Sequence, residues 1–279
     1  MRKIITMLFL FFVTTSVTAI EMEIDVGVGT QFSGANGTLV YTKDFWKDST
    51  AAIEHDSNLN FYSWMEVRTD KKYWPKMRVE ISRFVTEGSS NINININNAV
   101  AQGLIDQVKN KFPSLDITSF DTGSKLKQNS YELYLYYEYF EDSGFPTIGI
   151  GGGAKYFDFA YNALVIDFEE FTLEGLEFTD SGSGTAPMLF LKSKYDLDTD
   201  DGTVIRFQGE LRGYFFGDST IYDYLAKMEF LMPYNKDADV GFEFGYKYSY
   251  YDIQGEDIVK VGGNMSNNGI YFGVVGHFR

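Results

Sequence analysis

The chain has 279 residues, a formal net charge of −15, no cysteine, 20 Tyr and 25 Phe. Such acidity disfavours nucleic acid, which is bound through basic patches. The missing cysteines exclude a disulfide-stapled secreted fold, so stability has to come from another source.

Taken in chain order, the first feature is an export signal. Arg2 and Lys3 precede an apolar run centred on Leu8–Val13, and Val17-Thr18-Ala19 has the small residues of a cleavage site. The expected division is a secretory signal peptide over 1–19 and a single domain over 20–279, with the mature chain more acidic still. The apolar run is short for a spanning helix, which needs about 20 apolar residues. No cysteine follows the cleavage site, so nothing indicates a lipoprotein. No later segment is long and apolar enough for a membrane helix, and a membrane protein without spanning helices must be a closed barrel, because lipid satisfies no free backbone group.

The rest of the chain has the matching period. Phe207, Gly209, Leu211, Gly213 and Phe215 alternate with Arg206, Gln208, Glu210, Arg212 and Tyr214. Val240, Phe242, Phe244, Tyr246, Tyr248 and Tyr250 do the same with Gly241, Glu243, Gly245, Lys247 and Ser249. A period of two, apolar on one face and charged on the other, is the dyad pattern of a transmembrane β-barrel. Ten strands are expected, near Glu21–Phe32, Ser57–Arg68, Lys76–Thr86, Ser130–Glu141, Thr147–Phe159, Ala186–Asp196, Val204–Phe215, Ile221–Leu231, Val240–Tyr251 and Gly269–Phe278. The fold class is all-β, a single closed antiparallel barrel of about ten strands, with eight and twelve as competing counts. Short turns at Asp70–Pro75, Asp142–Pro146, Leu197–Gly202 and Pro233–Asp239 alternate with longer loops at Ser33–Asp56, Glu87–Asn129, Ala160–Thr185 and Asp252–Asn268. That alternation is the rule for periplasmic turns and extracellular loops. In the second loop, Val100, Leu104, Ile105, Val108 and Phe112 have helical spacing up to Pro113. They form either a rim helix or a lid.

Several stretches carry a resemblance. Asn60-Phe61-Tyr62-Ser63-Trp64-Met65-Glu66-Val67 followed by Trp74–Glu80, then Tyr131–Tyr139, Ala186–Lys192, Ile221–Lys227 and Gly269–Gly273 resemble, in order, the strands of a small, largely uncharacterised family of proteobacterial outer-membrane β-barrel proteins. The resemblance implies an integral outer-membrane location, with outer-membrane lipid, lipopolysaccharide and the barrel-insertion machinery as partners. It supplies no substrate and no catalytic residue. Outer-membrane chains commonly end in an aromatic residue, whereas here Phe278 is penultimate.

Candidate chemistry is sparse. His55 sits between Glu54 and Asp56 and reads as solvated rim surface, and His277 as a lumen filler. Neither has a nucleophile arrangement in sequence, so no rim hydrolase is expected. Asp196–Gly202 lacks the spacing of a calcium loop and reads as a hairpin turn. Gly149–Gly153 precedes no helix and so is no phosphate loop. No cofactor motif is present. Asp167, Glu169, Glu170, Glu174, Glu177 and Asp180 make an acidic outer loop suited to solubility or to divalent cations at the lipopolysaccharide surface.

The inward parity is rich in charge of both signs. Glu66, Arg68, Arg78, Glu80, Glu132, Lys192, Arg206, Glu210, Arg212, Lys227, Glu229, Glu243 and Lys247 are expected to form a charge network in the lumen, beside Trp64, Phe84, Tyr134 and Tyr136. Unpaired charge in a narrow, poorly hydrated space is costly, so the network should pair and fill the bore. The expected function is a structural or surface-presenting barrel without catalysis. The alternative is a narrow passive channel for small solutes or cations.

Overall fold

The computed structural model describes residues 22–43, 46–69, 73–93, 119–141, 145–166, 176–215, 217–253 and 262–279, with the single positions 106 and 110. Ten strands are present: β1 Met22–Lys43, β2 Trp46–Thr69, β3 Lys76–Asn93, β4 Ser119–Tyr139, β5 Thr147–Ile166, β6 Leu176–Asp198, β7 Val204–Tyr214, β8 Thr220–Asn235, β9 Ala238–Ile253 and β10 Gly262–Phe278. Each pairs antiparallel with its successor, and β10 pairs back onto β1, closing the barrel. The counts of eight and twelve are thereby excluded.

The two faces separate by parity. Phe207, Leu211, Phe215, Tyr224, Phe242, Phe244 and Phe272 point out, each 41–60% exposed, while Arg206, Glu210, Arg212, Lys227, Glu243 and Lys247 are buried in the bore. The apolar outward band is bounded above by Phe32, Leu59, Ile81 and Tyr131. A surface of this kind is stable only against lipid.

The strands run well past that band, and much of what reads as loop in the sequence is wall. β1 continues to Lys43 and β2 begins at Trp46, so the first long loop is mostly hairpin. Similarly, β3 reaches Asn93, β4 begins at Ser119, β5 reaches Ile166, β6 begins at Leu176 and β10 begins at Gly262. The reason is a change of solvent. Above the band the outside is water, so outward positions turn polar (Asn36, Glu54, Asp121), and Ala35, Leu39, Ala51, Ile53, Ile92 and Leu126 fill the inside. The alternation persists with its polarity inverted. The expected helix at 99–112 lies outside the described residues, apart from Asp106 and Asn110, which are helical.

Two irregularities position side chains. The β2 register shifts between His55 and Phe61 against β3, so inward residues are even-numbered below the shift and odd-numbered above it. Asn60 steadies the shift by accepting the Val85 backbone N–H at 2.6 Å and donating to Ser33 Oγ at 3.1 Å. On the other side of the barrel, β6 pairs with β7 only from Leu189 to Asp198, leaving Leu176–Met188 paired with β5 alone. Pro187 falls in that stretch, where a missing N–H is tolerated because no strand lies on the second edge.

Candidate functional site

The bore is built in tiers, each joining side chains of neighbouring strands with others from across the barrel. At the periplasmic end, Asp25 of β1 binds Arg68 at 2.6 Å and reaches across to Arg206 of β7 at 3.3 Å. Arg206 grips Asp196 with two parallel contacts, 2.9 and 3.1 Å, and meets Glu229 at 3.4 Å. His277 also bonds Asp25, so it belongs to this tier as an ion-network member and is more than a filler.

In the middle tier, Lys192 of β6 crosses the lumen to both Glu66 oxygens at 2.6 and 2.7 Å. Arg78 stands 3.3 Å from Glu80 and 3.3 Å from Glu210 on the far wall. Lys227 pairs with Glu229 and, at 3.1 Å, with Glu243, whose carboxylate also accepts from Trp64 Nε1 at 2.9 Å and from the Tyr62 hydroxyl.

The upper tier centres on Arg212 of β7. Its fork reaches Glu132 at 2.6 Å and Glu80 at 2.7 Å, and it also bonds Glu210. Lys247 joins Glu80 at 2.5 Å, and Lys155 ties Asp223 at 2.6 Å. Such charge-assisted contacts are short and strong where water is scarce.

Aromatic rings pack among the charges. Trp64 lies between Lys227, 3.7 Å from its ring, and the Arg78 guanidinium, 4.7 Å away. Tyr134 and Tyr136 pack on Phe190, with centroids 4.7 and 5.1 Å apart. The glycines of β5 make this packing feasible. A Cβ on Gly151 would sit 2.1 Å from the Leu135 carbonyl oxygen, and one on Gly153 would sit 1.9 Å from that of Leu133. Above the charges, Gln128 donates to the Tyr251 hydroxyl at 2.7 Å, below an apolar layer of Leu39, Phe157, Phe159, Ile253 and Met265. The cavities left among these side chains hold about 10 to 20 Å³ each. That is room for about one water, which needs roughly 10–15 Å³.

His55 is not solvated surface. It is 4% exposed, with Nε2 2.6 Å from Ser124 Oγ and Nδ1 2.9 Å from Thr86 Oγ1, and Ser90 Oγ 2.6 Å from Ser124 Oγ. The β2 register shift is the cause, since it turns an odd-numbered residue inward. Sequence reading missed these hydroxyl partners for the same reason. All four members of the cluster are buried inside the wall.

Of the acidic outer loop, Asp167, Glu169, Glu170 and Glu174 lie outside the described residues, while Glu177 and Asp180 fall on β6. Among the described residues no group of His, Asp or Glu is placed to hold a metal ion. The Asp196–Gly202 stretch closes a turn in which Gly202, at φ +84°, donates to the Thr199 carbonyl at 3.0 Å.

A closed barrel with an apolar exterior, a charged interior and an aromatic rim is an integral outer-membrane β-barrel of Gram-negative type. No protein-family model matches the chain, and no curated protein matches it. Among solved structures, the chain is similar to the outer membrane protease OmpT of Escherichia coli, at 9% identity and TM-score 0.48, over 95% of this chain and 99% of that one. It is also similar to the translocator domain of the autotransporter NalP of Neisseria meningitidis, at 12% identity and TM-score 0.35, over 98% and 94%. OprG of Pseudomonas aeruginosa aligns at 11% identity and TM-score 0.31, over 92% and 94%.

Proposed function

We propose that this protein is a structural or surface-presenting outer-membrane barrel whose bore is sealed by its own charge network and which performs no catalysis. Residues 1–19 act as the export signal, and the barrel reaches the membrane through the insertion machinery. The observation that carries this reading is the set of ion pairs spanning the lumen, above all Lys192–Glu66 and Arg206–Asp25, together with cavities of about 10 to 20 Å³ elsewhere in the bore, such as the one beside Trp64, Arg78 and Glu80. A passive channel would require those pairs to part, leaving charges uncompensated in a space too small to hydrate them.

The role is tested by solute entry. Liposomes carrying the purified protein, placed in hyperosmotic small sugars or amino acids, should swell no faster than empty liposomes. Swelling comparable to that produced by a general porin would replace this reading with the narrow-channel one.

A further inference from the structure

Above the apolar band, the outward cations among the described side chains gather on two adjacent strands: Arg83 on β3, and Lys125 and Lys127 on β4. Lys125 is committed to Glu87 at 2.5 Å. Arg83 and Lys127 have neither an ion pair nor a hydrogen bond with any described residue, whereas Lys192 and Arg212 of the bore are tied to carboxylates. Arg83 faces Asn129, and Lys127 faces Val85, across the β3–β4 ladder. The two cations are therefore diagonal neighbours, about 7–8 Å apart at the backbone. Two acids flank Lys127 diagonally on this face: Glu87, held by Lys125, and Asp158, engaged by Asn129, which donates to it from Nδ2 at 2.6 Å and from its backbone N–H at 3.2 Å.

Beside Lys127 the outer wall has an open depression of about 500 Å³, whose lining includes Asn129, Asp158, Ser181 and Ser183. Just below, Tyr131 and Tyr156, 6.1 Å between ring centroids, mark the top of the lipid-facing band.

We propose that this patch binds one phosphorylated glycolipid of the outer leaflet. Arg83 and Lys127 take a headgroup phosphate between them, the guanidinium by its planar fork and the ammonium as a point charge. The sugar enters the depression, where carboxylate, amide and hydroxyl groups offer both donors and acceptors. The acyl chains descend past Tyr131, Tyr156 and Ile81. The height of the site selects this ligand. Two unpaired cations directly above an apolar wall match a molecule that carries phosphate and acyl chain at that same boundary. A soluble phosphate would leave the apolar rungs unused.

The test uses the full protein in nanodiscs of zwitterionic phospholipid, titrated with phosphorylated glycolipid and read by native mass spectrometry. The wild type should retain glycolipid. Arg83→Gln with Lys127→Gln should weaken retention about thirtyfold, at roughly 1 kcal/mol per cation. Lys236→Gln, in an exposed periplasmic turn, should leave retention unchanged. Enzymatically dephosphorylated glycolipid should be retained by the wild type far more weakly than the intact lipid, an arm that holds even if the double variant folds poorly. Equal retention of phosphorylated and dephosphorylated glycolipid, undiminished retention by a folded double variant, or displacement by inorganic phosphate at matched concentration would overturn the proposal.

Discussion

Arg212 shows how a single side chain governs this interior. It is buried among three carboxylates, those of Glu80, Glu132 and Glu210. Its removal strands negative charge where no solvent can reach, and breaking a buried pair in this way costs about 3–5 kcal/mol. Arg212→Met should therefore lower the unfolding free energy of the vesicle-folded barrel, read from urea titration, by that order. Arg212→Lys should recover only part of the loss, because an ammonium cannot reproduce the fork that reaches Glu132 and Glu80 together. A Met variant as stable as wild type would mean that the carboxylates neutralise themselves. The other informative residue is His55, which stands above the lipid band. Burial pushes its imidazole below the ordinary value of 6.5, against the weaker opposite pull of Asp56 and Glu87. The unfolded chain then takes up a proton that the folded wall resists, so stability is full above about 6.5 and falls as the pH drops below it. Hydrogen exchange of β2–β4 above the band should accelerate on acidification in wild type. In His55→Gln, which keeps hydrogen-bonding capacity without the titration, it should not. Identical acid responses in both proteins would rule out His55 as the cause.

At the scale of the strand, legibility depended on the solvent outside. Within the lipid band, the alternation of Phe207, Leu211 and Phe215 with Arg206, Glu210 and Arg212 identified both faces, because lipid and bore demand opposite chemistry. Above the band the outward residues become Asn, Ser, Glu and Lys, and the same strands read as loops. The β2 register shift compounded this. His55 shares the parity of outward Leu59 and Phe61 and still faces in, and nothing in the local sequence marks where the extra residue sits. Pro187 was a usable signal, because it falls where β6 loses its second neighbour. The glycine run of β5 was readable in kind, as room for bulky neighbours, but not in detail. The carbonyls of Leu133 and Leu135, the Cα and Cβ of Tyr136 and the ring of Tyr134 occupy the space that side chains at Gly151 and Gly153 would need. Gly151→Val should therefore lower the fraction of protein with the compact, heat-modifiable gel mobility of a folded barrel. Gly152→Val, at an outward position where the nearest atom to a new Cβ is 3.3 Å away, should be far milder. Equal effects would dissociate the run from the Tyr134–Tyr136–Phe190 packing.

For the whole molecule, three layers stack along one axis: an ionic network at membrane depth, an amide–phenol layer at Gln128 and Tyr251, and an apolar filling above it. The near balance of inward acids and bases was visible from parity alone. Which acid meets which base was not, because pairs such as Arg206–Asp25 and Lys155–Asp223 join strands far apart in sequence. On the proposed function, in which charges pairing across the bore close it, weakening two tiers at once should open it. The central claim is tested most directly by planar-bilayer recording of the purified protein beside its Arg206→Ala, Arg212→Ala double variant. The wild type should pass little or no steady current, far below that of a general porin, and the variant should show leak or frequent transient openings. Large, stable wild-type currents would contradict that claim.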